Sequence, residues 1–150
     1  MLATLGDLVD DIVVQLAGPI NVATDTSSII LRRRGGSAAN VAATAGVLGQ
    51  PVRFLGQVGA DAVGAALVAE LKAAGVDTQF VHRSGSTGAI VVLVAPDAER
   101  SMLTDRRTCA ELDDPRPEWL DDVTTLHVPL YSLIEGATAM TAATLIGWAH

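Results

Sequence analysis

Two stretches of this chain are punctuated alike, and the run between them fits only a strand. Ser37 to about Leu48 sets Val41, Ala45 and Leu48 on one helical face, opens on Ser37 as a candidate N-cap and stops at Gly49. Asp61 to Ala74 repeats the plan, with Asp61 as the cap, Val63, Leu67 and Leu71 at four-residue steps, and Gly75 as the stop. Val52–Val58 lies between them and reads as a strand. Helix, strand and helix in this order need a sheet to pack on, which is an α/β arrangement.

The flanking segments extend that plan. Leu2–Leu5, followed by Gly6, reads as a buried strand ending in a turn. Ile12–Leu16 and Ser28–Arg32 are rich in β-branched residues and enclose Gly18, Pro19, Asn21 and Asp25, so they predict a small hairpin or flap. Gln79–Val81, Gly88–Val94, Arg100–Thr104 and Thr124–Val128 read as further strands, with Pro96-Asp97 in a turn. Glu118–Asp121 reads as a short helix and Ala137–His150 as the last one, with Met140, Thr144, Leu145 and Trp148 at helical spacing. No stop signal follows Trp148, so this helix reads as cut rather than finished. The sum is an α/β fold with a mainly parallel sheet flanked by helices and a small added β element. Only 3% of the residues are aromatic, so Ala, Val and Leu must fill a core of closely packed elements.

Charge and composition narrow the function classes. A net charge of −7 argues against nucleic acid as a partner. The local basic run Arg32-Arg33-Arg34 reads as a solvated strand end. Cys109 is the single cysteine; it can form no internal disulfide and has no His or second Cys at ligand spacing, so no metal site is expected. A lone thiol suits a reducing compartment. The amino terminus lacks a basic region followed by an apolar one, and the longest apolar run, Ala89–Ala95, is too short to span a bilayer. The expectation is a cytoplasmic protein with no membrane partner.

The segment with most chemical promise is Arg34-Gly35-Gly36-Ser37-Ala38-Ala39-Asn40. Two glycines before a helix let a ligand approach the backbone, because no Cβ intervenes. The helix start offers free N–H groups and a partial positive field. Asn40 falls in the first turn, where its amide can donate to and accept from hydroxyls. Spacing alone leaves two readings open: a ligand cradle, or a tight turn into a helix.

Further motifs follow in order: Gly49, Gly59, the Val-Gly-x-Asp-x-x-Gly run at Val58–Gly64, and Ala-Gly-Val-Asp at Ala74–Asp77. Together with Gly35, Gly36 and Asn40, and with Gly6 followed by Asp11, they make the chain resemble the ribokinase-like sugar kinases, also called the phosphofructokinase B type. The resemblance covers nearly the whole chain. It implies a ribokinase-like fold in which Asp11 accepts hydrogen bonds from two substrate hydroxyls, Gly35 and Gly36 lie against the substrate ring, and Asn40 binds a further hydroxyl. It implies lid strands at about residues 11–33, which close over the site and pair between subunits in a homodimer. It also implies ATP and Mg²⁺ in the complete enzyme, with a sugar or nucleoside as acceptor.

Some positions depart from the family pattern. Val9 stands where ribose-specific members tend to have Asn, Ser37 where Lys is frequent, and Tyr131 near a substrate-facing Glu. Arg107 and Cys109, in Thr104–Cys109, occupy a Gly-Ala-Asn-like turn. The larger departure is an absence: the family's catalytic base is the Asp of a late Gly-Ala-Gly-Asp motif, which does not occur here. Gly59-Ala60-Asp61 belongs to the earlier motif and reads as a helix cap. No Walker-type or Gly-x-Gly-x-x-Gly segment replaces the nucleotide site. The chain therefore reads as the amino-terminal, acceptor-binding part of a carbohydrate kinase, with the catalytic Asp expected beyond His150 and no kinase activity of its own. The alternative is a short non-catalytic paralogue that binds a small polar ligand or assembles through its lid.

Overall fold

The computed structural model describes residues 1–149; His150, where spacing ends the last expected helix, lies outside them. The elements run β1 (Leu2–Leu5), β2 (Val9–Leu16), β3 (Ser28–Gly35), α1 (Ser37–Val47), β4 (Val52–Val58), α2 (Ala62–Ala73), β5 (Val81–Arg83), β6 (Ala89–Val94), β7 (Arg100–Asp105), β8 (Thr125–His127) and α3 (Gly136–Trp148). Short 3₁₀ turns at Arg107–Ala110, Pro117–Leu120 and Leu130–Leu133 fill the later connections.

One sheet, ordered β5-β4-β1-β8, is parallel throughout. A parallel sheet is covered on both faces, and β4 is accordingly buried at every position. Its pleat sends Val52, Phe54 and Val58 towards α1 and α2, against Ala38, Ala39, Ala42, Leu67 and Leu71. Leu55 turns the other way and joins Ala3, Leu5, Leu112, Trp119, Ala142 and Leu145. The alanine face of α1 is the low-aromatic core in practice: small side chains let the helix lie close to the strands. Arg53 is charged within this buried strand, yet it donates to the Asp77 carboxylate at 2.8 Å and to the carbonyls of Trp119 and Asp121 at 3.0 and 3.1 Å. A buried cation matched in this way avoids the cost of an unpaired one.

The second sheet, ordered β3-β2-β6-β7, is larger than the expected hairpin. β2 pairs antiparallel with β3 on one side and parallel with β6 on the other, from Asp10 opposite Ala89 to Gln15 opposite Val94. β7 then runs antiparallel to β6. β2 also begins at Val9 rather than Ile12. Asp10 and Asp11 thus sit inside a strand rather than in a turn, and the pleat points them to opposite faces.

Helix starts differ in one respect. Asp61 caps α2 as expected, accepting from the Gly64 N–H at 2.8 Å. Ser37, expected to cap α1, is instead its first helical residue; the cap position is Gly36, at φ 99° and ψ 123°, with no side-chain bond. The strand expected at Gln79–Val81 lies at Val81–Arg83, because Asp77 takes the Gln79 N–H at 3.0 Å in a turn.

Candidate functional site

A cavity of about 920 Å³ opens where the two sheets meet the start of α1. One wall is a face of the second sheet, with Asp11, Ile90, Met102 and Thr104; the register puts Ile90 beside both Asp11 and Thr104. The opposite wall is α1, from Gly36 through Asn40, Val41, Thr44, Ala45 and Leu48. Pro129, Tyr131 and Ser132 close a third side, and Asp7 and Arg106 lie at the base. The volume is that of a small-molecule site, apolar with a few polar groups converging.

The residues singled out from sequence come together here, though not in identical roles. Asp11, Gly36 and Asn40 line the cavity; Gly35 stands behind Asp11. A Cβ on Gly35 would overlap the Asp11 carboxylate, so the missing side chain is what lets that carboxylate lie where it does. Gly36 is needed twice over: its φ of 99° is one that L side chains avoid, and a Cβ there would run into the Asp7 carbonyl. Asn40 is exposed, and its amide oxygen accepts from Arg34 at 3.4 Å. Its own N–H donates to the Gly36 carbonyl at 2.9 Å, closing the first turn.

Asp11 is the most reactive-looking group on the walls. Its Oδ1 is buried with no hydrogen-bond partner. Burial, and secondarily the charge of Asp10, push its carboxyl above the ordinary Asp value. An acceptor-only group that is desolvated and unpaired gains most from a ligand hydroxyl. Asp10, on the other face, is satisfied within the chain by Arg32.

Two lining groups escape sequence reasoning. Arg106 grips Asp7 with two parallel bonds, at 2.8 and 2.7 Å, and reaches Glu135 at 3.5 Å. The partners stand 99 positions apart, beyond any spacing rule. The local signal in the sequence is the unusual run Thr104–Cys109, which holds Arg107 and Cys109. Cys109 is fully buried, its thiol donating to the Leu8 carbonyl at 3.2 Å. Burial, with a smaller contribution from Asp7, pushes it up to about 11, so it is an inert packing residue. Tyr131 sits at the rim and is 71% exposed.

Asp61 behaves as a cap and not as a base. Its carboxylate accepts from the Gly64 and Thr87 N–H groups, both at 2.8 Å, and from the Thr87 hydroxyl at 2.6 Å. Those bonds, first the one from Gly64, lower its pKa to about 2. In the basic run, Arg32 and Arg34 are engaged by Asp10 and by Asn40 and Glu70.

The family model for the pfkB carbohydrate kinases matches residues 2–145. The chain belongs to that family. Among solved structures, a fructokinase from Halothermothrix orenii superposes with a TM-score of 0.86 at 22% identity, covering 99% of this chain and 52% of that one. A sugar kinase from Pyrococcus horikoshii gives 0.84 at 22%, covering 98% and 50%, and its complex with ATP matches equally well. A fructokinase from Xylella fastidiosa gives 0.80 at 24%, covering 99% and 48%. At these identities the likeness shows the ribokinase-like fold and nothing finer. The pfkB chain described here spans about half the length of each of these structures.

Among the described residues, no helix is long and apolar enough to cross a membrane. Nor is any group of three or more His, Cys, Asp or Glu side chains placed to hold a metal ion.

Proposed function

We propose that this chain supplies acceptor binding to a cytoplasmic ATP-dependent sugar or nucleoside kinase. The single observation that carries the reading is the cavity wall on which Asp11, Gly36 and Asn40 converge, with Asp11 Oδ1 buried and unpartnered. Asp11 takes hydrogens from acceptor hydroxyls, Asn40 donates to and accepts from a further one, and Gly35 leaves room for the carboxylate to do so. Family membership and the ATP-bound neighbour support ATP as the donor. The attacking hydroxyl still needs a base and the transferred group a set of donors. Both belong, on this reading, to sequence outside these 150 residues, since no Gly-Ala-Gly-Asp occurs among them. The second sheet covers the acceptor and excludes water from it, and its edge strand is the surface for a homodimer.

A ligand-dependent melting screen of sugars and nucleosides tests the proposal, run on the native chain and on Asn40→Ala. A stabilising ligand is expected, with its shift reduced in the variant. A hit that Asn40→Ala leaves unchanged would put the ligand in some other pocket.

A further inference from the structure

Resting on the reading of this cavity as an acceptor site, we propose that it is built for a neutral polyhydroxylated acceptor and turns away one that already carries a phosphate or carboxylate. The charged side chains on its walls are Asp7, Asp11 and Arg106. Arg106 is the cation an anionic acceptor would need, and each of its three guanidinium nitrogens faces a carboxylate. Nε and one terminal nitrogen are taken by Asp7 at 2.8 and 2.7 Å; the other terminal nitrogen faces Glu135 at 3.5 Å. Two carboxylates around one guanidinium already match its charge, with Asp7 across its side-on fork and Glu135 beside the remaining nitrogen. The side chain is also only 14% exposed, held down between its partners.

The remaining cations nearby are not among the residues that line the cavity. Arg33, opposite Asp11 in the β2–β3 register, lines a separate groove with Asp10 and Glu70. Arg34 reaches the Asn40 amide oxygen at 3.4 Å and Glu70 at 3.9 Å through its two terminal nitrogens, while its buried Nε has no partner. The amino end of α1 is the one other feature that attracts negative charge, and the Asp11 carboxylate already lies against Gly35 beside it. The walls thus carry a surplus of negative charge and an unpaired acceptor oxygen, which suit hydroxyls and repel an anion.

The experiment is isothermal titration of the 150-residue chain with matched pairs, D-fructose against D-fructose 6-phosphate and D-ribose against D-ribose 5-phosphate. The neutral member of at least one pair is expected to bind about tenfold more tightly or better, about 1.4 kcal/mol. Equal or tighter binding of the phosphate would overturn the charge argument while leaving the acceptor site standing. Binding of neither member of any pair at tens of millimolar, with no nucleoside binding either, sinks the acceptor reading and this inference with it. Asp7→Asn releases Arg106 and is expected to narrow the gap about tenfold by strengthening the phosphate. Should that variant fail to fold, Glu135→Gln, on an exposed side chain, is expected to narrow it about threefold; an unchanged ratio counts against the proposal.

Discussion

Gly35 and Gly36 are neighbours with the same side chain, yet the fold uses them differently. Gly36 is held by backbone geometry, at φ 99° with the Asp7 carbonyl against it, and Gly35 by the Asp11 carboxylate. Gly36→Ala is therefore expected to cost about 2–3 kcal/mol in urea denaturation, since strain and a backbone clash add. Gly35→Ala is expected to cost less, because a side chain can swing away, but to abolish ligand-dependent stabilisation by displacing Asp11. If both variants lost stability equally and Gly35→Ala still bound its ligand, the division of roles would be wrong. Arg107 presents the converse case. It stands at φ 45°, in the left-handed region that favours glycine, and its side chain makes an exposed pair to Asp105 at 2.7 Å that offsets little of the strain. Arg107→Gly is expected to raise stability by about 0.5–1 kcal/mol; a lower denaturation midpoint would refute the claim that this backbone is strained.

Among the elements, α2 depends most visibly on one side chain. Asp61 caps the helix and ties it to Thr87, on the loop that enters β6. Its folded pKa, about 2, lies below the ordinary Asp value, so these bonds stabilise the fold above pH 4 and are lost as pH falls from about 4 towards 2. Asp61→Asn should flatten that acid limb of a pH–stability profile, at a loss of about 1 kcal/mol near neutrality. An acid limb of unchanged steepness would place the titrating groups elsewhere. This cap was legible in the sequence, as were both helices around β4, because a helix writes its period and its stops locally. The second sheet was not. β2 needs β6, about 80 positions on, and nothing local in Ala89–Val94 says which sheet it joins. The cavity was legible in part: Gly36 and Asn40 announce themselves beside a helix start, Asp11 needed the family likeness, and Arg106 needed its distant partner Asp7.

At the scale of the molecule, two sheets of unequal support share one chain. The parallel sheet is packed on both sides, by α1 and α2 on one face and by Trp119 and α3 on the other. In the second sheet every residue of β7 is exposed, and Val9, Asp10, Gly35 and Val92 are its buried members among the described residues. The bidentate Asp7–Arg106 pair ties the β1–β2 connection to the end of β7. Local opening follows buried apolar contact, so the second sheet should open at a free energy well below that of the first. Amide hydrogen exchange is expected to show β7 and the outer half of β3 exchanging first, and β1 and β4 last, at the rate of global unfolding. Arg106→Gln should accelerate exchange in β7 and in residues 7–10 while leaving β4 unchanged, because the pair bridges the sheets without entering either core. An acceptor bound between Asp11 and Asn40 should do the reverse, since it touches both the second sheet and α1 and binds only when they are together. Protection confined to α1, with β2 and β6 unaffected, would show that the ligand rests on the helix and that the second sheet plays no part in holding it.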